Sequence, residues 1–356
     1  MKCPYKNFLM QSNHDNKINL PAEWEQQSGI LITWPHAYSD WKDKLFEIET
    51  TYLAICKAVM PYQKVLIICY DQTHHAHIEK TLTANAINND ACILAICKSN
   101  DTWCRDYGPI STCCDGSVQL NNFIFNGWGE KYDAELDNSV SRSLNNKGIF
   151  NSTPLIDREF LLEGGSIDTD GQGTLLTTSH CLLKRHSDKD KADIENYFNK
   201  YLGINTIHWL DHGALGGDDT DSHIDNLARF VNKETIVYCA CDNKEHPDYD
   251  SLHKMETQLK LLRQKNGNKY KLIPIYIPVL IEDKGKALPA SYINFLIVNQ
   301  AILVPTFDVP EDNAAIEIFK QCYPNRSIIA IDSNALIKQF GGLHCATMNF
   351  PTGVLQ

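Results

Sequence analysis

The chain has 356 residues, 43% of them hydrophobic and 22% charged, with a formal net charge of −11. That composition is of an ordinary soluble globular protein with enough chain to bury a sizeable core. The acid excess excludes a partner bound through its phosphate backbone, which needs a basic footprint, and it suits a small cationic ligand.

The N-terminus, M-K-C-P-Y-K-N-F-L-M-Q, lacks the apolar core of a signal peptide, and no stretch approaches the roughly 20 apolar residues of a membrane span. A cytoplasmic location follows as the expectation. The 13 cysteines form no C-x-x-C pair, so they are read as reduced, small buried hydrophobes, one of which can serve as a nucleophile.

Residues 1–19 read as a polar leader and 20–356 as one domain, since no proline- or serine-rich linker interrupts the chain. The first predicted strand is Gly29–Trp34. From Trp41 the apolar residues Leu45, Ile48, Tyr52, Ile55 and Val59 recur every three or four positions, the face of an amphipathic helix that Pro61 ends. Strands follow at Lys64–Tyr70 and Cys92–Cys97, with a short helix near His75–Thr83 between them. Further strands are expected at Leu155–Leu162, Thr174–Thr177, Thr206–Leu210, Leu227–Val231 and Thr235–Cys241, with a helix at Lys191–Leu202. A helix over Tyr249–Arg263 precedes strands at Lys271–Ile277, Tyr292–Val298 and Ala301–Pro305, then a helix at Asp312–Tyr323 and a strand at Ser327–Ile331. The pattern is α/β, in repeated strand–strand–helix–strand units without an exact sequence repeat.

Polar residues gather with glycine between these strands at four places, where sites tend to lie. They are N-D-T-W-C-R-D-Y-G-P (100–109), L-E-G-G-S-I-D-T-D-G-Q-G-T (162–174), G-A-L-G-G-D-D-T-D-S-H-I-D-N-L-A-R-F-V (213–231) and G-G-L-H-C-A-T-M-N-F-P (341–351). Read as strand entry, the third places His223 and Asp225 on one face, two residues apart. Two chemistries compete there. Asp221-x-His223-x-Asp225 is a metal-cradle spacing like that of dimanganese ureohydrolases, but a second aspartate-rich motif is missing. The alternative joins His223, Asp106, Glu163 and Asp225 to Cys345, the parts for nucleophilic catalysis on a cationic carbon. His74-His75-x-His77 lies at a predicted helix start and is read as solvated.

Together with L-P-A-E-W-E (20–25), T-W-P-H (33–36), N-G-W-G-E-K (126–131) and L-P-A-S-Y-I-N-F (288–295), these stretches resemble the agmatine deiminase and bacterial peptidylarginine deiminase family, in family order over Leu20–Pro351. The resemblance implies a five-bladed α/β-propeller of ββαβ units, the pentein fold, with pseudo-fivefold symmetry. It also implies a hydrolase of linear amidines, without metal or cofactor, and a possible homodimer. It assigns Cys345 as nucleophile, His223 as acid/base, Glu163 as its holder, and Asp106 and Asp225 as guanidinium ligands. Trp103, Trp128, Gly342 and Asp219 become candidates for binding the rest of the substrate. A planar guanidinium presents forked N–H donors that carboxylates match in pairs, which agrees with these roles. The chain departs from the family's D-E-T-N-G-H-V-D-N with D-D-T-D-S-H-I-D-N (218–226), and from I-T-Q-Q with A-T-M-N (346–349), near the non-reacting end of the substrate. Hydrolysis of agmatine to N-carbamoylputrescine is the leading expectation. Deimination of peptidyl-arginine, a metal-dependent ureohydrolase and a non-catalytic binding protein are the alternatives.

Overall fold

The computed structural model describes residues 18–87 and 89–356. Strand β1 (Ile18–Asn19) is followed by β2 (Gln27–Thr33), α1 (Leu45–Val59), β3 (Lys64–Cys69), α2 (Gln72–Ala84) and β4 (Cys92–Ile96). The single turn α3 (Cys104–Tyr107) leads into the hairpin β5 (Ile110–Cys114) and β6 (Ser117–Ile124). A distorted turn α4 (Gly127–Glu130) and helix α5 (Glu135–Asn146) then cross to β7 (Leu155–Leu161). Next come β8 (Ile167–Thr169), β9 (Thr174–Thr178), α6 (Ser179–Arg185), α7 (Lys191–Leu202) and β10 (Thr206–Leu210). The following unit is β11 (Ala228–Asn232), β12 (Thr235–Ala240), α8 (Tyr249–Leu259) and β13 (Lys271–Tyr276), trailed by a ribbon of β14 (Glu282–Asp283) and β15 (Lys286–Ala287). The chain closes with β16 (Leu296–Val298), β17 (Ala301–Thr306), α9 (Glu311–Cys322), β18 (Ser327–Asp332), the turn α10 (Asn334–Ile337) and β19 (Thr347–Pro351).

Among the described residues, one arrangement recurs in five sheets. An antiparallel pair is followed by a crossover to a parallel third strand: β5-β6-β7, β8-β9-β10, β11-β12-β13, β16-β17-β18, and β19-β2-β3-β4. Parallel strands need a crossover, and helices α5, α6 with α7, α8, α9 and α1 provide it. In the last sheet β19, from the end of the chain, pairs with β2 near its beginning, Thr347 opposite Ile32 and Phe350 opposite Gly29.

The apolar pattern explains the layers. In β3, K-V-L-I-I-C, every residue from Val65 to Cys69 is buried, because β2 and β4 flank it and both faces are covered. Helix α1 buries Ile48, Tyr52, Ile55 and Val59 on one face, and each such side chain contributes about 1.5–3 kcal/mol. No helix among the described residues is long and apolar enough to cross a membrane.

Several elements differ from the sequence reading. Residues 1–17 of the expected leader lie outside the described residues, while Ile18 and Asn19 pair with Cys114 and Cys113 as an edge strand. The helix expected from Trp41 begins at Leu45; Trp41 precedes it and is buried through hydrogen bonds from Nε1 to Thr102 and Asp101. The strand expected at Tyr292–Val298 is real only for Leu296–Val298, because the Ser291 hydroxyl takes the Ile293 N–H and turns the chain. The helix expected to reach Arg263 stops at Leu259, and β5, β6, α5 and β19 were not anticipated.

His223 and Asp225 do not lie on a strand. Ile224–Asn226 forms a 3-10 turn before β11, and the His223 N–H bonds to Thr220 Oγ1 at its start.

Candidate active site

Four loops, each at the end of a strand or short turn, bring the five expected residues together. Cys345 lies in the loop before β19, Asp106 in α3, Glu163 after β7, and His223 and Asp225 in the turn before β11. All five are buried, the least so being Cys345 at 4% exposure.

Glycine permits the convergence. A Cβ on Gly165, the second glycine of L-E-G-G, would stand 2.7 Å from His223 Nδ1, 2.9 Å from Asp106 Oδ1 and 3.1 Å from Asp225 Oδ2. Only a residue without a side chain leaves that space open. The Gly165 N–H instead donates to Asp106 Oδ1 at 2.8 Å, and Trp128 Nε1 donates to Asp106 Oδ2 at 2.9 Å.

His223 is held from behind. Its Nε2 is 2.7 Å from Glu163 Oε2, and Glu163 Oε1 accepts from Arg185 Nε at 2.6 Å. Its Nδ1 is buried, has no hydrogen-bond partner among the described residues, and stands 3.7 Å from Asp106 Oδ1. Burial works against a charged imidazole, but Asp106, Cys181 and Glu163 outweigh it and raise His223 well above its ordinary value. His223 is therefore an acid at neutral pH. Glu163 is also pushed up by burial, yet His223 and Arg185 prevail and keep it below the usual carboxylate range.

Asp225 divides its two oxygens. Oδ2 is 2.8 Å from His344 Nδ1 and 3.7 Å from Cys345 Sγ, whereas Oδ1 is buried without a partner among the described residues. Burial raises Asp225 and the His344 hydrogen bond and charge lower it further, so the net shift is downward. Asp106, by contrast, is pushed up to about 6 by burial, against the pull of His223. Burial, with Asp225 and Asp106 adding to it, holds the Cys345 thiol well above its ordinary value. The site thus pairs a thiol with an acid histidine.

A cavity of about 80 Å³ opens over Cys345 and Asp106. Trp103, Trp128, Gly341, Asp219, Tyr132, Asp101 and Asp40 line it. Tyr132 donates its hydroxyl to Asp219 Oδ2 at 2.9 Å. Gly341, not Gly342, lines the cavity; a Cβ on Gly342 would overlap Asn294 Oδ1.

The metal-cradle spacing does not assemble. Asp221 turns away to Arg185 Nη1 (2.6 Å), Lys184 Nζ (2.6 Å) and Lys131 Nζ (3.0 Å), and Asp218 caps its own loop through Thr220 and Ser222. Among the described residues, Glu163, Cys181 and His223 are the set spaced for a metal. There the Glu163–His223 hydrogen bond occupies the very atoms a metal would need.

Three contributors escaped the sequence reading. Asn294, inside the quoted L-P-A-S-Y-I-N-F, donates from Nδ2 to Cys345 Sγ at 3.2 Å and accepts the His344 and Cys345 N–H groups at Oδ1, at 2.7 and 3.3 Å. Arg185 and Cys181 come from α6, which no glycine-rich motif marks; Cys181 Sγ is 3.6 Å from Glu163 Oε2.

The chain is similar to known proteins over nearly its whole length. The chain is 30% identical to the agmatine deiminase of Stutzerimonas stutzeri (strain A1501), over 93% of this chain and 95% of that one. It is 29% identical to the agmatine deiminase of Medicago truncatula, over 94% and 96%. A C. jejuni agmatine deiminase, solved as a cysteine-to-serine variant with substrate bound, superposes with a TM-score of 0.88 at 35% identity, covering 98% of this chain and 100% of that one. The sequence profile of the Porphyromonas-type peptidyl-arginine deiminases matches residues 19–351, nearly everything from the first strand to the last, and the chain belongs to that family.

Proposed function

We propose that the protein hydrolyses a small cationic guanidine, agmatine being the substrate the site suits best, to an N-carbamoyl amine and ammonia. The observation that carries this reading is Asp225 Oδ1, a buried carboxylate oxygen with no protein partner, on the residue whose other oxygen is 3.7 Å from the Cys345 thiol. A guanidinium held between Asp225 and Asp106 satisfies that oxygen and places its carbon near the sulfur. The cation also offsets the carboxylate charges that hold the thiol up, so substrate binding promotes the thiolate.

Cys345 Sγ then bonds to the guanidinium carbon, and His223 passes its Nδ1 proton to the departing nitrogen, which leaves as ammonia. The S-alkylthiouronium that remains is attacked by water. His223, now neutral, takes one water proton, the C–S bond breaks with Cys345 leaving as thiolate, and the remaining hydroxyl proton passes to solvent to give the neutral ureido product. Glu163 and Arg185 fix the imidazole throughout, and no metal or cofactor enters the scheme.

The lining of the cavity supports agmatine over its rivals. Asp219, Asp101 and Asp40 favour a substrate amine and disfavour the carboxylate of free arginine, and about 80 Å³ suits a free small molecule better than a peptide. Trp103 and Trp128 line the same cavity, which supports reading them as the flanks of the aliphatic tail. For the fold, we read the five recurring sheets as blades of an α/β-propeller and residues 20–356 as one catalytic domain. The pairing of β19 with β2 supports a closed ring. Incubation with agmatine, arginine and an arginyl peptide, scoring ammonia, urea and ureido product, tests the reading. Ammonia with N-carbamoylputrescine from agmatine supports it, and urea release that a chelator stops would replace it with a ureohydrolase.

A further inference from the structure

His344, which immediately precedes the nucleophile, touches two carboxylates at once. Its Nδ1 lies 2.8 Å from Asp225 Oδ2 and its Nε2 lies 2.7 Å from Glu23 Oε2, with the ring 3% exposed. Carboxylates only accept, so both bonds form together when the ring carries both N–H groups. Behind it, Glu23 Oε2 also meets Arg229 Nη2 at 2.9 Å and Arg105 Nη2 at 3.7 Å, and Glu23 Oε1 takes the Ile297 N–H at 2.7 Å. Arg229 in turn reaches Asp168 at 3.3 Å. Burial alone would raise Glu23, but Arg229, His344 and Arg105 hold it far below the usual carboxylate range.

The result is a buried line of alternating charge, Asp225, His344, Glu23, Arg229 and Asp168, running away from the nucleophile. One end, Asp225, stands 3.7 Å from Cys345 Sγ. On the far side His344, Glu23, Arg105 and Asp168 line a second cavity of about 110 Å³, whose other walls include Leu20 and Pro21. Apart from Asp225, no member of this line takes part in the catalytic steps.

We infer that His344, backed by Glu23, is a positioning residue that clamps Asp225 through Oδ2, so that Oδ1 stays ionised and free for the guanidinium. This rests on the guanidine reading of the site. Without the clamp, Asp225 would face Asp106 and the Cys345 sulfur with only His223 and Arg229 as nearby cations. Repulsion from Asp106 and burial would then favour its protonated form. The sign follows: losing His344 raises the Asp225 titration, so cation binding fails at a higher pH than in the intact site. The clamp also explains why the histidine abuts the nucleophile. Asn294 Oδ1 takes the N–H of both residues, so one side chain sets both positions.

The test measures equilibrium binding of agmatine to Cys345→Ala protein as a function of pH, alone and combined with His344→Gln, His344→Ala or Glu23→Gln. The proposal expects His344→Gln to weaken binding at pH 7 by about tenfold or more, and to move the acid-side loss of affinity to higher pH. Glu23→Gln is expected to shift it in the same direction by less. Added imidazole should restore binding to His344→Ala, since the lost ring borders the second cavity. Unchanged pH dependence in both the His344→Gln and Glu23→Gln proteins would overturn the clamp, even with weaker affinity, because a packing role moves affinity without moving the titration. If Cys345→Ala alone binds no agmatine at any pH, the guanidine reading itself fails and the clamp goes with it.

Discussion

Asn294 holds Cys345 at two points: its Nδ2 donates to the sulfur at 3.2 Å while its Oδ1 accepts the cysteine N–H at 3.3 Å. An amide N–H aimed at sulfur favours the thiolate, and the backbone bond fixes where that sulfur points. Asn294→Ala should therefore lower kcat by roughly tenfold to a hundredfold, the loss of one hydrogen bond to a charged group. The thiol should also titrate higher in the variant, measured by the pH dependence of iodoacetamide labelling in the presence of substrate analogue. An unshifted labelling profile would remove Asn294 from thiolate stabilisation.

If the proposed function holds, Asp106 should set the acid side of the rate profile. Burial pushes it up to about 6, with His223 opposing and Asp225 and Glu163 adding to the rise. Guanidinium binding needs the carboxylate, so kcat/KM should fall as pH drops through about 6. The stability sign is opposite. A carboxyl raised on folding favours the fold when protonated, so stability is lost as pH rises from the unfolded value of 3.8 towards 6. Asp106→Asn should accordingly abolish turnover yet raise the melting temperature at pH 8 more than at pH 4, in calorimetry across that range.

Arg185 ties the site to its loop. At 2% side-chain exposure it bonds Glu163 at 2.6 Å and Asp221 at 2.6 Å, and its Nη2 reaches the Thr220 carbonyl. Removing one partner of a buried pair leaves an uncompensated charge, at a cost of about 3–5 kcal/mol. Arg185→Met should lose stability of that order in urea denaturation, whereas Lys184→Met, whose side chain is 52% exposed on the same Asp221, should lose far less.

Asp219 should distinguish substrates by their tails. Asp219→Asn is expected to raise KM for agmatine by about tenfold or more, the scale of a lost charged hydrogen bond. KM for butylguanidine, which lacks the amine, should barely change. Equal effects on both compounds would take Asp219 out of tail recognition.

Much of the catalytic set was legible because glycine-rich loops after apolar strands announce sites, and four such loops carry Asp106, Glu163, His223, Asp225 and Cys345. The five residues expected to act together do converge in the structure, but with a local geometry at His223 that differs from the expected strand. The alternation argument assumed a strand where Thr220 and the 3-10 turn bend the chain. Asn294 lay in a quoted motif, but a lone asparagine in an expected strand carries no sign of its partner 51 residues away. Arg185 and Cys181 sit on a helix whose exposed neighbours look like any surface turn, so only tertiary packing reveals them. The β5–β6 hairpin had a usable signal that went unread: Asp115-Gly116, both with positive φ, is the turn that suits a two-residue hairpin.

The account stands on a covalent bond between Cys345 and the substrate carbon. Rapid-quench mass spectrometry of the protein mixed with agmatine, followed by peptide mapping, tests this directly. The account predicts a transient adduct of agmatine less ammonia on the peptide carrying Cys345, and a loss of turnover on the order of 10⁴-fold or more in Cys345→Ala. Steady release of ammonia from agmatine by Cys345→Ala at near the parent rate, with no adduct on the parent protein, would contradict it.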